Sequence, residues 1–516
     1  MLKKTANLFT TAYLLLMFCV YPFYIERGYE NIGEAKNRFF LMSSIAAFGI
    51  LGVLAVLQLL KALREIHRQK RAYLIDWDQV SSTDLFVLLY AVTVFLSYVL
   101  TDYREEALWG TEGWYMGCVP LLLLCGLYFL ISRMWGGNTK IFYLLMAASA
   151  VVFVLGICNR FSFYPAVFEV TQPDFISTLG NINWFCGYLS VVAPVGIGMF
   201  VLQDKGSAKK KWLPAGYAVL TFMAGFSQGS NSIFLWFAAL FITLLWICQE
   251  EQKWLENWLL LIILWGASAQ LVRLLRFLLP GRYNYDTENL CGYLTDSSLT
   301  VWITLAGILA YVIVRKRENR TGEKKKKRRK MIIAFVAFAI GGWLILSVIH
   351  TVWGLPLFAE NSAFQEIFLL DENWGNGRGA AYSAGIHILR ELPLIHKLFG
   401  AGPDCFANCA YSLPELSDML SQYFGNARLT NAHNELLTCL VNTGILGVLF
   451  YLGIFLSFTV SCMKKGKDNQ FLYFLCLSVV CYFTHNLVSF AQVLNLPYLF
   501  ILAGMGRNLQ KICQSR

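Results

Sequence analysis

Fourteen apolar stretches of about 17–25 residues run through the chain, near 7–25, 39–61, 84–101, 116–133, 141–158, 184–203, 212–227, 233–249, 255–279, 298–314, 331–353, 433–461, 471–488 and 493–506. Stretches of that length match the helix needed to cross roughly 30 Å of hydrocarbon. Inside a bilayer, only helices and closed barrels satisfy every backbone polar group. The sequence therefore predicts an all-α, polytopic integral membrane protein with about 12–14 transmembrane helices. Composition agrees: 15% of the residues are charged, where a soluble chain carries about 25%. No small-residue cleavage site follows the first stretch, which reads as a signal anchor.

Basic clusters at 3–4, 61–71, 205–211, 315–330 and 464–467 and at the C-terminus all fall on one side if there are fourteen spans. The positive-inside rule makes that side cytoplasmic, with both termini on it. The intervening segments, such as "DYREEALWGTEGW" (102–114), are neutral or acidic and face out. The run "RKRENRTGEKKKKRRK" (315–330) reads as a topology anchor beside anionic membrane lipid, with no nucleic acid partner. The cysteines lie mostly inside apolar stretches, where they behave as small hydrophobes. No Cys/His spacing suits a metal, and the i,i+4 pair Cys405 and Cys409 suits a disulfide poorly. No cofactor is implied. The expected organisation is eleven spans over 1–353, one outer segment over 354–431, and three spans with a cytoplasmic tail over 432–516.

The outer segment carries two helical patterns. "GAAYSAGIHILREL" (379–392) puts Tyr382, Ile386 and Leu389 on one face. "SLPELSDMLSQYFG" (412–425) has Ser412 as N-cap, Pro414 in the first turn and Gly425 just past the end. Its apolar stripe is Leu416, Met419, Leu420 and Tyr423. Helices this short are marginal alone and are expected to pack on the membrane mouth.

Polar and ionisable side chains collect at the outer ends of the spans, where they are costly unless paired or used. His433, Asn434 and Glu435 open the twelfth span. The imidazole of His433 could serve as a general base or rest as an interfacial histidine. Arg378 lies between two glycines, which let a backbone approach a ligand closely, and its guanidinium could fork onto phosphate oxygens. Asn181 and Asn183, with Gly180, open the sixth span as helix caps or as amides for sugar hydroxyls. "GFSQGSNSIFLW" (225–236) makes a polar outer turn. Arg273 and Arg276 stand at the outer end of the ninth span, where the positive-inside rule disfavours them; an anionic ligand or snorkelling to headgroups would explain them. "FGAGPD" (399–404) reads as turn chemistry.

At these residues the sequence resembles the O-antigen ligase/polymerase family of bacterial envelope polysaccharide enzymes. "GNINWFCGYLSVVAP" looks like the family's Gly-Asn-x-Asn entry to a span. "WGNGRGAAYSAGIHILRELPLIHKLFGAGPDCF" resembles its outer loop. "AHNELLTCLVNTGILGVLFYLGIF" resembles its His-Asn signature, and "ALWGTEGWYMG" (107–117) a further motif of some relatives. The resemblance implies a metal-independent glycosyltransferase in the bacterial cytoplasmic membrane, with its site opening outward. The donor it implies is a glycan on undecaprenyl diphosphate, and the acceptor a glycan or glycolipid. His433 would assist acceptor attack, and Arg378 would hold the diphosphate. Where family members often carry Ser-Arg-Gly, this chain has Ser227-Gln228-Gly229, and Arg273 or Arg276 is the expected substitute. The rival readings are a polysaccharide or lipid-glycan transporter or flippase, and a non-catalytic subunit of an envelope assembly. Polar groups gathered at one face, rather than along the middle of the spans, favour the enzyme.

Overall fold

The structure, a computed structural model, describes residues 1–69, 80–165, 172–202, 209–316, 322–354, 367–425 and 427–514. Parts of four expected basic clusters (70–71, 205–208, 317–321 and 515–516) and residues 355–366 and 426 of the outer segment lie outside the described residues.

The chain is an all-α membrane protein: helices coincide with all fourteen apolar stretches, and the one sheet among the described residues is a two-stranded turn pairing Phe175–Ile176 with Gly180–Asn181. Among the described residues, eight helices are long and apolar enough to cross a membrane by themselves, and the bent pair Leu290–Asp296 and Leu299–Arg315, taken as one span, makes a ninth. Cys118–Met134, Ile233–Ile247 and Phe471–His485 are apolar but only 15–17 residues long. At 1.5 Å per residue they reach roughly 22–26 Å. Counting these three with the nine gives twelve spans, the lower end of the expected 12–14, and Lys209–Ser227 and Leu496–Gln514 coincide with the other two stretches. The helix Ile182–Val201 sits at the centre of the bundle, with 94% of its apolar window buried; Lys325–Val352 sits at the periphery, with 6%.

Polar contacts sort the helix ends into two sets. At one end, Asp84 binds Arg133 at 2.9 Å and Arg507 at 3.1 Å, and Glu250 binds Arg329 and Lys467. These are the ends that carry the basic clusters. The opposite end carries the polar residues singled out from the sequence.

Among its described residues the outer segment carries the helices Trp374–Glu391, Leu394–Phe399, Phe406–Ser412 and Pro414–Phe424, more than the two that the apolar pattern predicts. The first and the last two share a small core of Ala381, Ala384, Ile388, Phe406, Ala410, Leu416 and Leu420, closed by Ala432 and by Val441 of the following span. Two expectations are corrected. The first helix buries Ala380, Ala381, Ala384, Gly385 and Ile388, while Ile386 is 46% exposed. Small residues win this face because it lies hard against Leu437: a Cβ on Gly385 would sit 2.9 Å from that side chain. Ser412 does not cap the last helix. It ends the preceding helix, its hydroxyl donating to the Cys409 carbonyl at 2.9 Å, and Leu413 takes the cap position. Pro414 and Gly425 stand where expected. Cys405 and Cys409 are both free thiols.

The span Glu435–Lys465 is broken at Gly444, whose φ of 72° and ψ of −173° are nearly glycine-only. The break lets the "FGAG" turn pair with the span's backbone. Ala401 N donates to Val441 O at 2.9 Å and Gly402 N to Asn442 O at 3.1 Å. A Cβ on Gly444 would lie 2.4 Å from Leu398 backbone. The turn thus bolts the outer helices to the span that begins with His433.

Candidate active site

His433 stands in the left-handed region, at φ 48°, between two asparagines that each close a local turn. Asn431 Oδ1 accepts from His433 N at 2.9 Å, and Asn434 Oδ1 accepts from Leu437 N at 3.0 Å as the N-cap of the span. Thr438 ties the turn from below, donating to Asn434 O and accepting from Ala432 N. A left-handed non-glycine residue is uncommon, although asparagine, aspartate and histidine tolerate it best. The ring lies edge-on to Phe490 at 5.4 Å. Burial, and then the nearby charge of Arg378, push its pKa down to about 3.

Arg378 reaches this place through the turn Gly375-Asn376-Gly377, three successive left-handed residues. The flanking glycines serve the backbone rather than a ligand. Ala380 N donates to Glu372 O at 2.8 Å, and a Cβ on Gly379 would lie 1.9 Å from Asp371 O. The guanidinium donates from Nε to Val488 O at 3.0 Å and from one terminal nitrogen to Gly375 O. No carboxylate pairs with it among the described residues, and burial lowers its pKa. With five N–H groups available, it keeps donors for a further acceptor.

Both residues are organised by the segment after Phe471–His485. Val488 O receives Arg378; Leu487 O receives Tyr382 at 2.8 Å and Asn434 at 2.9 Å. That segment opens with a second His-Asn pair, His485 and Asn486, which the sequence reading did not single out, although the repeated dipeptide was visible. Asn486 O accepts from Glu435 N at 3.0 Å, and the Asn486 amide donates back to the Glu435 carboxylate. Tyr451 donates to its other oxygen. Beyond Asn486 the chain of bonds continues through His485 to Ser232 at 3.2 Å, Ser230, and Asn183 at 2.7 Å. Glu435 is 4% exposed, so it braces the site from behind.

The "ALWGTEGWYMG" and "FGAGPD" motifs meet beside His433. The Asp404 carboxylate accepts from Thr111 N at 2.7 Å and Met116 N at 3.0 Å, and burial still pushes its pKa up to about 7. Trp114 donates to Thr430 and packs edge-on against Phe490 at 4.5 Å. A cavity of about 50 Å³ lies between Asp404, Glu435, Asn431, Asn442 and Trp114. A buried water needs roughly 10–15 Å³ of such space, so a few ordered waters fit.

The remaining expected residues stand elsewhere. Asn181 accepts from Asn183 N at 2.8 Å as a helix cap. Arg276 is paired with Asp296, and Arg273 is exposed; both line a separate cleft. Neither fills the turn at Ser227-Gln228-Gly229. Arg160 does, from the end of the helix Ile141–Arg160. It donates to Ser227 O at 2.9 Å, to Gln228 O at 2.5 Å and to Pro173 O at 2.7 Å, and is fully buried. An arginine at the outer end of a span, "ICNR" (157–160), was its signal in the sequence.

No curated protein matches the chain. Residues 290–452 match the family model described as O-antigen ligase, a segment that takes in the outer helices, Arg378, the "FGAGPD" turn and His433. Over those residues the chain is similar to the O-antigen ligase family, and the match supports glycan transfer of the O-antigen ligase kind in general.

Proposed function

We propose that the protein transfers glycan from an undecaprenyl-diphosphate carrier to the hydroxyl of an acceptor glycan or glycolipid, at the outer face of the bacterial cytoplasmic membrane. The basic clusters at the opposite end of the bundle support a cytoplasmic position for that end and for both termini. His433 takes the acceptor proton as the hydroxyl oxygen attacks the anomeric carbon. The bond from that carbon to the diphosphate breaks, and its electron pair leaves with the diphosphate. Arg378 is the cation over the leaving group, so the scheme calls for no metal. Its free N–H donors suit a forked grip on phosphate oxygens.

The observation that carries the reading is that one short segment holds both groups: Val488 O accepts from Arg378, and Leu487 O accepts from Asn434, the neighbour of His433. Burial, and then the arginine, make the imidazolium costly, so the imidazole is neutral and able to accept a proton. A diphosphate on Arg378 offsets that charge and raises the basicity of His433 when the donor is in place. Glu435, Asn434, Asn183 and Asn181 act in this reading as positioning residues, holding the 485–490 segment and the span entrances. Arg378→Ala tests the assignment in an assay with purified protein and lipid-linked glycan: the apparent KM for donor should rise, with that for acceptor little changed. An unchanged donor KM removes Arg378 from the diphosphate.

A further inference from the structure

Across the Ser227–Ser232 turn from His485, the end of the helix Gln252–Leu278, the loop 279–287 and the helix Leu290–Asp296 enclose an open cavity of about 410 Å³. Small-ligand sites fall at roughly 300–1,000 Å³. Its walls carry Arg273, Arg276, Tyr283, Tyr285, Thr287 and Asp296. The side chains are held from behind. Arg276 donates to both oxygens of Asp296 at 2.9 and 3.1 Å and lies over the Tyr283 ring at 5.2 Å. Tyr283 donates to Ser227 O at 3.1 Å. Tyr285 lies against the Arg160 guanidinium at 4.3 Å, an approach that Gly229, at φ 103°, leaves open; a Cβ there would sit 2.4 Å from the ring.

The chemistry of this set selects among ligands. Two fixed aromatic rings, each with a guanidinium over one side, offer their remaining apolar surface to the C–H side of a pyranose. A carboxylate, a hydroxyl and a guanidinium offer paired donors and acceptors to vicinal hydroxyls. A diphosphate fits poorly, because Asp296 already neutralises Arg276 and would repel phosphate. We propose that this cleft is a glycan-binding site, holding sugar units of a substrate chain away from the sugar that reacts at His433. The inference rests on the reading that the protein handles glycan, but it assigns that role to a different set of residues. It gives Arg273 and Arg276, which the positive-inside rule leaves unexplained, a sugar partner in place of a phosphate.

The test is equilibrium binding to the purified full-length protein in lipid nanodiscs, followed by calorimetry. The probe is the host's own glycan, freed from its lipid carrier by mild acid hydrolysis, with inorganic pyrophosphate as a second probe. The free glycan should bind the wild type and His433→Ala alike. Tyr283→Leu and the exposed-residue variant Arg273→Ala should each weaken it by about tenfold or less. Tyr283→Phe, which keeps the ring, should stay near wild type. Pyrophosphate should not displace the glycan. Wild-type affinity in both Tyr283→Leu and Arg273→Ala, displacement by pyrophosphate, or no glycan binding to the wild type overturns the proposal. Transfer retained in His433→Ala with binding lost in the cleft variants would instead overturn the catalytic reading and leave the cleft standing.

Discussion

Replacing Glu435 separates bracing from catalysis. The carboxylate accepts from the Asn486 amide and from the Tyr451 hydroxyl, and both partners are about 2% exposed. Glu435→Ala leaves two buried donors without an acceptor. Each such orphan costs roughly 1–3 kcal/mol, so the variant should lose about 2–6 kcal/mol. Glu435→Gln is milder. It keeps one oxygen for Tyr451 but turns an NH2 group toward the Asn486 amide. That conflict is relieved if Asn486 flips and His485 carries its proton on Nε2, toward Ser232, a change of tautomer the bonds at His485 permit. The expected loss is that of about one hydrogen bond, roughly 1 kcal/mol. Thermal melting of purified protein in one detergent, followed by size-exclusion, should order the proteins wild type, Glu435→Gln, Glu435→Ala. Adding Tyr451→Phe to Glu435→Ala removes one orphan and should recover part of the loss. Equal melting of the Ala and Gln variants, or no recovery in the double variant, would refute the bracing role.

Three further outcomes follow from the same geometry. Arg378→Gln removes the cation beside His433, so the His433 pKa should move up from its depressed value, as read by NMR of labelled histidine; no movement would deny that the two residues interact. Because kcat/KM reports the free enzyme and burial with Arg378 holds His433 neutral, the acid limb of kcat/KM should lie well below the ordinary imidazole range. The limb of kcat should lie at higher pH, since the bound diphosphate offsets Arg378; coincident limbs would count against donor-dependent basicity. Gly444→Ala forces a side chain onto Leu398 backbone in a glycine-only conformation and should destabilise the protein by at least about 1–3 kcal/mol. A wild-type melt in that variant would deny the packing at the break.

Much of the architecture was legible because one physical rule dominates it. Long apolar stretches must be helices in lipid, and all fourteen are. His433 and Arg378 were legible as polar groups in an expensive place. What stayed hidden was whatever depends on partners distant in sequence. Arg160 meets residues 227–228 only after folding, so it looked no different from other arginines at span ends. His485 lies among apolar residues, and its partner Ser232 is 253 positions away. The outer helix at 374–391 buries three alanines, Gly385 and Ile388, and leaves Ile386 exposed. Hydrophobic period alone cannot anticipate that, because the choice is made by how closely Leu437 approaches. The glycines beside Arg378 carried a real signal with a different cause: they close a turn on residues 371–372.

The central claim is that His433 activates the acceptor. The most direct measurement is single-turnover transfer by purified His433→Ala, with saturating lipid-linked donor and acceptor. Loss of general-base help should slow transfer by roughly 10²–10⁴-fold, with donor binding and melting temperature close to wild type. Transfer at the wild-type rate would contradict the account.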